Sequence, residues 1–170
     1  IVALTATAVP KVRQSIAESL QLRSPFIASK TFDRTNLEII VRRKIHSENM
    51  HNHLAPLIRD LTDAGATGGC TIVYCVSRRT VEEVGGYLAN ALGKAGVRVE
   101  QYHAGFSPQQ RKETHYSFLS GKTQVVVATV AFGMGIDKPD IRRVVHIGAP
   151  KTVEEYYQQI GRAGRDGLPA

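Results

Sequence analysis

The 170-residue sequence predicts an α/β domain built on a mainly parallel sheet. Two observations predict this fold class: four short apolar runs are typical of strands, and the segments between them carry apolar residues at helical spacing. A mass of 18.6 kDa fits one domain with a buried core. The hydrophobic fraction of 42% excludes a disordered or fibrous chain.

Four strands are predicted, over 71–76, 97–103, 124–129 and 142–147. The run Val125-Val126-Val127 is typical of a strand that is buried on both faces, as in parallel sheets. A fifth candidate covers 38–43, where the charged residues favour an edge strand or a chain entry.

Helices are predicted over 9–20, 50–61, 79–92, 107–119 and from Thr152 onward. Ser107 is followed by Pro108 and by Gln110, which is the pattern of a capping box with proline at the first helical position. Thr152 and Glu155 have the same spacing. Both patterns predict where a helix begins.

Gly121-Lys122-Thr123 resembles the end of a phosphate-binding P-loop. The first glycine of that motif would fall at position 116, which is Tyr116, so the segment lacks the turn that aims backbone N–H groups at phosphate. We interpret it as a helix stop. The sequence also lacks an adjacent Asp-Glu pair, so this chain alone is not expected to bind and hydrolyse a nucleotide.

The net charge of +7 and the pI of about 9.6 favour a polyanionic partner, with a solvated basic surface as the alternative. No apolar run reaches the roughly 18 residues of a membrane span. The start at Ile1, without Met, suggests a piece of a longer protein.

Cys70 and Cys75 are too few for a disulfide framework or a four-cysteine zinc site. His46, His51 and His53 lie close in sequence, but they have no cysteine nearby and no regular ligand spacing. No metal site is therefore predicted.

The most specific pattern is Gln158-Gln159-Ile160-Gly161-Arg162-Ala163-Gly164-Arg165-Asp166-Gly167. Two arginines three residues apart would share one face of a helix, and small neighbours would let another surface approach them. A planar guanidinium suits the oxygens of a phosphoryl group in transfer. The alternative is an exposed basic turn of helix.

This string resembles motif VI of superfamily 2 helicases. The particular residues from Tyr156 to Gly167 resemble those of the RecQ branch of that superfamily. Further segments resemble other motifs of that family in the same order: Leu4-Thr5-Ala6-Thr7-Ala8 resembles motif III, 72–78 motif IV, Tyr102-His103-Ala104-Gly105 the strand and turn that follow, and 127–138 motif V. The resemblance implies a RecA-like lobe of the P-loop NTPase type, with three α-β-α layers. It also implies that 1–36 end a first motor lobe and its junction, and that 37–170 form the second lobe.

The resemblance implies roles for ten residues in a motor that holds ATP between two lobes. The catalytic residues would be Arg162 and Arg165, reaching the γ-phosphate, and Gln158, coupling nucleotide state to lobe closure. Gly135 and Arg34 would also contact the nucleotide. The Asp137 carboxylate would accept a hydrogen bond from a ribose hydroxyl of the nucleotide. Arg34 lies in Phe32-Asp33-Arg34-Thr35-Asn36, where Thr35 replaces the proline that the family usually has.

The same resemblance implies that nucleic-acid phosphates would be held by Ser77, Arg78, Thr129 and His103. Ser77 ends a strand and begins a helix, so its hydroxyl would meet free backbone N–H groups there. The alternatives are that Ser77 or Thr80 only caps its helix, that Thr129 caps a helix, and that His103 is a turn residue.

The function implied is the second lobe of an ATP-dependent 3′-to-5′ DNA helicase that acts in DNA repair, recombination and replication. ATP and Mg²⁺ would be bound mainly by the first lobe and not by this chain, so the isolated lobe is expected to be inactive. The implied partners are DNA single strands, duplex junctions and the first lobe, without a membrane, and the nucleus follows from the resemblance alone. Two alternatives stay open, a non-catalytic nucleic-acid-binding module and an RNA helicase of the same superfamily.

Overall fold

The computed structural model describes residues 1–5, 9–29, 33–43, 49–133 and 135–170. The chain divides into two compact units, Ile1–Thr35 and Asn36–Ala170. The first unit contains helix α1 (Pro10–Ser19), which has Pro at its start and buries none of its residues. This confirms the helix predicted over 9–20, whereas residues 6–8 of the motif III-like segment lie outside the described residues.

The second unit is built on a parallel sheet. Its strands are β1 (Cys70–Cys75), β2 (Val99–Tyr102), β3 (Val125–Ala128) and β4 (Ile141–Ile147). Their order is β2-β3-β1-β4, and all three pairings are parallel. The four predicted strands and the mainly parallel sheet are confirmed.

The fifth strand predicted over 38–43 was wrong, because residues 36–43 have no strand assignment. Ile39, Ile40 and Val41 are exposed by more than half and have no second strand to cover them. Only a short backbone bridge forms here: Glu38 N–H donates to the Ala170 carbonyl, and Ala170 N–H donates to the Asn36 carbonyl.

The helices of the second unit are α2 (Met50–Ala64), α3 (Arg78–Leu92), α4 (Pro108–Leu119) and α5 (Val153–Ile160). The predicted starts are confirmed by their caps, since Ser107 completes a full capping box and Thr152 accepts from the Glu155 N–H. Gly121, at φ +75°, lies just beyond the end of α4, which confirms the helix stop. Helix α2 runs beyond the predicted 50–61.

A separate hydrophobic core lies on each face of the sheet, because successive strand residues point to opposite faces. The first core combines strand residues with the apolar stripes of α2 and α3: Val73, Cys75, Val125, Val127, Leu54, Leu61, Val81, Val84, Leu88 and Leu92. The second combines the alternate strand residues with α4 and the segments after β3 and α5: Ile72, Tyr74, Val126, Ala128, Phe118, Phe132, Ile136 and Ala163. Two cores around one sheet give the predicted three layers.

The strand order places the segments that follow β2, β3, β1 and β4 side by side along one edge of the sheet. In open parallel sheets this carboxyl edge is the usual position of ligand contacts. The predicted residues His103, Thr129 and Ser77 all lie within two residues of a strand end at this edge.

Replacing Phe118 by Ala is expected to lower the free energy of unfolding by about 3–5 kcal/mol, because it leaves a cavity under α4. Phe118 is fully buried and its ring lies 5.5 Å from that of Phe132. Urea unfolding of the chain measures this. Tyr116 on the same helix is 61% exposed, so Tyr116→Ala serves as the control and should change stability by less than about 0.5 kcal/mol. Equal effects of the two variants would contradict the assignment of this core.

Candidate functional site

Two segments of the second unit meet beside the second core. The first, which we call the β3 loop, comprises residues 129–137, of which Met134 lies outside the described residues. The second, which we call the arginine segment, comprises residues 161–167 and follows α5. The two segments contain the motif V-like and motif VI-like residues, and hydrogen bonds join them directly.

The two arginines do not share a helical face as predicted. Helix α5 ends at Ile160, and the arginine segment consists of turns in which Arg162 N–H donates to Gln159 and Ala163 N–H donates to Ile160. Gly164 then adopts φ +56°, and a Cβ there would lie 2.4 Å from Asn36 Nδ2. Gly161 and Gly164 were predicted to let another surface approach the arginines. In the structure the helix ends before Gly161, so neither arginine is helical.

The guanidinium of Arg162 is packed inside the lobe, and the residue is 9% exposed. Its Nη1 donates to the Gly133 carbonyl, while its Nε is buried without a hydrogen-bond partner. A Cβ on Gly133 would lie 2.6 Å from Arg162 Nη2, so only glycine leaves room for this approach. No carboxylate lies within ion-pair distance of Arg162 in the part of the chain that the structure describes.

Arg165 lies at the surface and contacts Asp137, the residue that is predicted to bind a ribose hydroxyl. Its Nη1 is 2.8 Å from Asp137 Oδ1 and 3.2 Å from the Ile136 carbonyl. The exposed fractions of the two side chains are 36% for Arg165 and 90% for Asp137. Gly135 lies in the same loop at φ +80°, a conformation that favours glycine. The structure therefore brings four predicted nucleotide-site residues into one cluster.

The sequence reading did not single out Asn36 or Arg142, which hold the end of the arginine segment. Asn36 Nδ2 is 2.9 Å from both the Gly164 and Leu168 carbonyls. Arg142 donates to the carbonyls of Pro139 and Pro169 and pairs with Asp166, whose pKa it lowers. Neither role has a local sequence signal, because Asn36 and Arg142 lie more than twenty residues from the groups that they hold in the arginine segment and after it.

The two adjacent glutamines of α5 face opposite ways. Gln158, the predicted coupling residue, is exposed, whereas Gln159 is 4% exposed. Gln159 Oε1 lies 2.6 Å from His146 Nε2 at the end of β4. Successive helical positions are about 100° apart, so one glutamine points to the lobe and the other to solvent. The sequence reading missed both Gln159 and His146.

Ser77, Arg78 and Thr129 lie together at the carboxyl edge. Ser77 Oγ accepts from Thr80 N–H at 3.1 Å and lies 2.8 Å from Thr80 Oγ1. Ser77 therefore caps α3, which was the alternative to a phosphate contact. Arg78 is exposed, and a Cβ on Gly105 would lie 3.3 Å from its Nη1. Thr129 is partly exposed and begins a turn rather than a helix, which removes the helix-cap alternative for it.

His103 is also at this edge but is 4% exposed. Its Nδ1 accepts from Gly105 N–H at 3.1 Å, and its ring stacks on Phe106 with centroids 4.0 Å apart. Its Nε2 lies 3.3 Å from Glu82 Oε1, within ion-pair distance but without hydrogen-bond alignment. The ring therefore has no open face in this conformation, and its contact with nucleic acid stays a prediction.

Arg34 belongs to the first unit, where it is half-buried, and its contact with a nucleotide also stays a prediction. Of the three histidines considered as ligands, His46 lies outside the described residues and His51 stacks on Tyr87 at 3.8 Å. The described ranges contain no group of three His, Cys, Asp or Glu side chains that could hold a metal ion. They also contain no helix long and apolar enough to cross a membrane.

A cavity of about 120 Å³ opens at the carboxyl edge between β1, β3 and β4. Thr129, Val76, Val130, His146 and Gly148 are among its lining residues. Cys75 also lines it, and burial raises the pKa of the Cys75 thiol to about 12. The thiol is therefore protonated at neutral pH and is not a nucleophile for this site.

The chain matches the family model of the helicase conserved C-terminal domain over residues 49–167. It therefore belongs to the helicase C-terminal domain family. Within that family it is similar to the bifunctional 3′-5′ exonuclease/ATP-dependent helicase WRN of Mus musculus, with 48% identity over 99% of this chain and 12% of the relative. It is also similar to the ATP-dependent DNA helicase RecQ of Pasteurella multocida, with 42% identity over 100% of this chain and 25% of the relative.

These identities confirm the RecQ-type resemblance, and the chain spans a quarter or less of these two relatives. Among solved structures, S. cerevisiae Dbp5 bound to RNA and ADP BeF3 matches with a TM-score of 0.66 at 20% identity. The match covers 98% of this chain and 42% of that chain. At this identity the likeness supports the fold alone, which is the predicted RecA-like lobe.

We expect both cysteines to resist alkylation in the folded chain at pH 8. Burial raises the pKa of both Cys70 and Cys75, so the thiolate that reacts with iodoacetamide is scarce as well as inaccessible. Mass spectrometry should find no adduct in native buffer and two adducts after unfolding in urea. Rapid native modification of Cys75 would contradict the description of the cavity.

Proposed function

We propose that this chain is the second motor lobe of an ATP-dependent DNA helicase with the 3′-to-5′ polarity that its RecQ-type sequence implies. Residues 1–36 would end the first lobe and form the junction, and 37–170 would form the second lobe. The single observation that carries the proposal is the buried guanidinium of Arg162, which lies against the β3 loop without a carboxylate partner among the described residues.

A buried arginine without a counter-charge is costly, because a cation removed from water needs an anion or several good acceptors nearby. Among the described residues, Arg162 donates to the Gly133 carbonyl and interacts with the Tyr74 hydroxyl, while its Nε has no hydrogen-bond partner. An anion at this place would therefore gain strongly from Arg162. The γ-phosphate of ATP held by a facing lobe is such an anion, and a guanidinium that contacts it during transfer acts as an arginine finger.

Arg165 and Asp137 would exchange their mutual ion pair for contacts to the same nucleotide. Their pair is at the surface, and exposed ion pairs of this kind contribute little to stability. Arg165 can therefore turn to a phosphate, and Asp137 can accept a ribose hydroxyl, at small cost. Gly135 would shape the loop between them, and exposed Gln158 would face the first lobe.

The carboxyl edge would hold the backbone of the DNA strand along which the motor moves. Arg78 supplies an exposed cation, the start of α3 supplies free backbone N–H groups, and Thr129 supplies a hydroxyl on the neighbouring strand. Such contacts position a strand without reading its sequence. The capping role of Ser77 leaves room for a phosphate contact, because a hydroxyl both accepts and donates.

ATP with Mg²⁺ would be bound mainly by the first lobe, and its hydrolysis would supply the energy for lobe opening and closure. Arg162 and Arg165 would complete the site when the lobes close, and the edge contacts would alternate between two grips on the strand. DNA single strands and duplex junctions are the proposed substrates. A role in DNA repair, recombination and replication, and a nuclear location, follow only from the RecQ-type resemblance.

Replacing Arg162 by Lys in the full-length protein is expected to lower ATPase turnover about 10³-fold while DNA binding largely survives. Lysine keeps the charge but loses the planar fork, so the loss would report geometry rather than net charge. Steady-state ATPase assays and fluorescence anisotropy with single-stranded DNA measure the two properties.

Arg98→Ala is the matched control, because the Arg98 side chain is 60% exposed at the opposite edge of the sheet and forms an ion pair with Glu100. Its turnover should match that of the unchanged protein. Near-normal turnover of Arg162→Lys, and of Arg162→Ala as a second variant, would remove the arginine-finger assignment.

The isolated 170-residue chain should bind single-stranded DNA weakly and show no measurable ATPase, since half of the nucleotide site is contributed by the other lobe. Because phosphate contacts release counterions, raising the salt from about 50 to 200 mM should weaken the binding at least tenfold. Arg78→Ala should weaken it several-fold and Arg98→Ala should not. Robust DNA-stimulated ATPase of the isolated chain would contradict the two-lobe site.

A full-length protein that binds nucleic acid but never hydrolyses ATP would support the non-catalytic module instead. Unwinding assays with matched DNA and RNA duplexes separate the DNA helicase from the RNA helicase, because the two duplexes differ in the 2′-hydroxyl that RNA carries and DNA lacks.

A further inference from the structure

Helix α5 is held on the lobe by a polar residue. Gln159 is its single buried residue, whereas Val153 is 77% exposed. A surface helix normally packs through an apolar stripe. In α5 the apolar side chains of Tyr156, Tyr157 and Ile160 are only partly buried, so the position of the helix depends also on the hydrogen bonds of Gln159.

Those hydrogen bonds use both the oxygen and the nitrogen of the Gln159 amide. Gln159 Oε1 lies 2.6 Å from His146 Nε2, and Gln159 Nε2 donates to Glu155 Oε1 at 3.0 Å. Glu155 in turn accepts from the Lys151 N–H at 3.2 Å, just before the helix. An amide oxygen only accepts, so His146 Nε2 carries the hydrogen in this arrangement.

The imidazole of His146 is fixed by two aromatic rings. Tyr74 stacks on it with centroids 5.7 Å apart, and Tyr156 of α5 lies at 5.4 Å. Burial lowers the pKa of His146, against the opposing effects of Gln159 and Glu155. The ring is therefore neutral at physiological pH, as a single Nε2–H donor requires.

Tyr74 connects this ring to the β3 loop. Its hydroxyl donates to the Phe132 carbonyl at 2.8 Å. The next carbonyl, that of Gly133, accepts from Arg162, and Arg162 follows Gln159 by three residues. The contacts therefore form a closed circuit that runs from the β3 loop through Tyr74 and His146 to α5 and back through Arg162.

We propose that His146 is a positioning residue that sets the rotation of α5, and so the placement of Arg162 and Gln158, relative to the β3 loop. The circuit includes the loop that Thr129 begins, so it joins a candidate nucleic-acid contact to a candidate phosphate contact. This inference rests on the proposed function. It assigns the DNA stimulation of ATP hydrolysis to a hydrogen bond between Gln159 of the motif VI-like string and His146, which lies outside the recognised motifs.

The test uses His146→Phe in the full-length protein, which keeps an aromatic ring between the two tyrosines and removes the N–H donor. We expect the DNA-stimulated kcat for ATP hydrolysis to fall about tenfold. The KM for ATP and the DNA-free rate should stay within about twofold, because no group that contacts ATP has been removed. Gln159→Leu should give the same loss.

The double variant His146→Phe, Gln159→Leu should be no slower than either single variant, because both break one hydrogen bond. His146→Gln retains an N–H donor and should recover most of the stimulated rate. His51→Phe is the control, since His51 stacks on Tyr87, which packs against the first core, whereas the β3 loop lies beside the second. Circular dichroism at the assay temperature confirms that each variant is folded.

Three results would overturn the inference: an unchanged stimulated kcat in His146→Phe, equal losses of the stimulated and DNA-free rates, or losses that multiply in the double variant. Arg162→Lys in the same assays separates this failure from that of the proposed function. If Arg162→Lys loses turnover and His146→Phe does not, only the positioning role is wrong. If Arg162→Lys and Arg162→Ala both retain turnover, the proposed function and this inference fail together.

Discussion

The contact between the Arg162 guanidinium and the Gly133 carbonyl is the interaction on which the organisation of the site depends. It joins the β3 loop to the arginine segment, and it buries a permanent cation beside the second core. Gly133 has no Cβ to block that approach. A buried cation without a carboxylate partner among the described residues is not explained by stability, because an apolar side chain of similar volume would fill the space at lower cost.

The sheet explains why these two segments meet. Strands β3 and β4 flank β1 on either side, so the loop after β3 and the helix after β4 both emerge at the carboxyl edge. Tyr74, near the end of the central strand, contacts the loop through its hydroxyl and stacks on His146 of β4, which in turn lies 2.6 Å from Gln159 of the helix. A parallel order with β1 in the middle therefore makes one surface from two motifs that lie some thirty residues apart in the sequence.

Local patterns predicted the elements well, because caps and short apolar runs act over a few residues. Ser107 and Thr152 identified two helix starts, and the buried run at Val125 identified a central strand. The strand predicted over 38–43 was wrong. An edge strand forms only beside a neighbouring strand, and the sequence of the segment does not show whether a neighbour is present. The anchoring roles of Asn36, Gln159 and His146 were missed for the same reason, as each depends on a residue brought close only by the fold.

The environments of the candidate site residues differ from those that the sequence predicted. Pairing Arg162 with Arg165 assumed a continuous helix, whereas the chain turns at Gly161 and places one guanidinium in the interior and the other at the surface. This difference has a chemical consequence. In the proposed motor, Arg165 would exchange Asp137 for a ligand with little reorganisation, so its contribution would belong to binding. Arg162 is already desolvated and held by the loop, and a preorganised donor of that kind acts most strongly on charge that develops during the reaction. If the proposed function holds, the two arginines would therefore act in successive steps of one reaction rather than together on one phosphate.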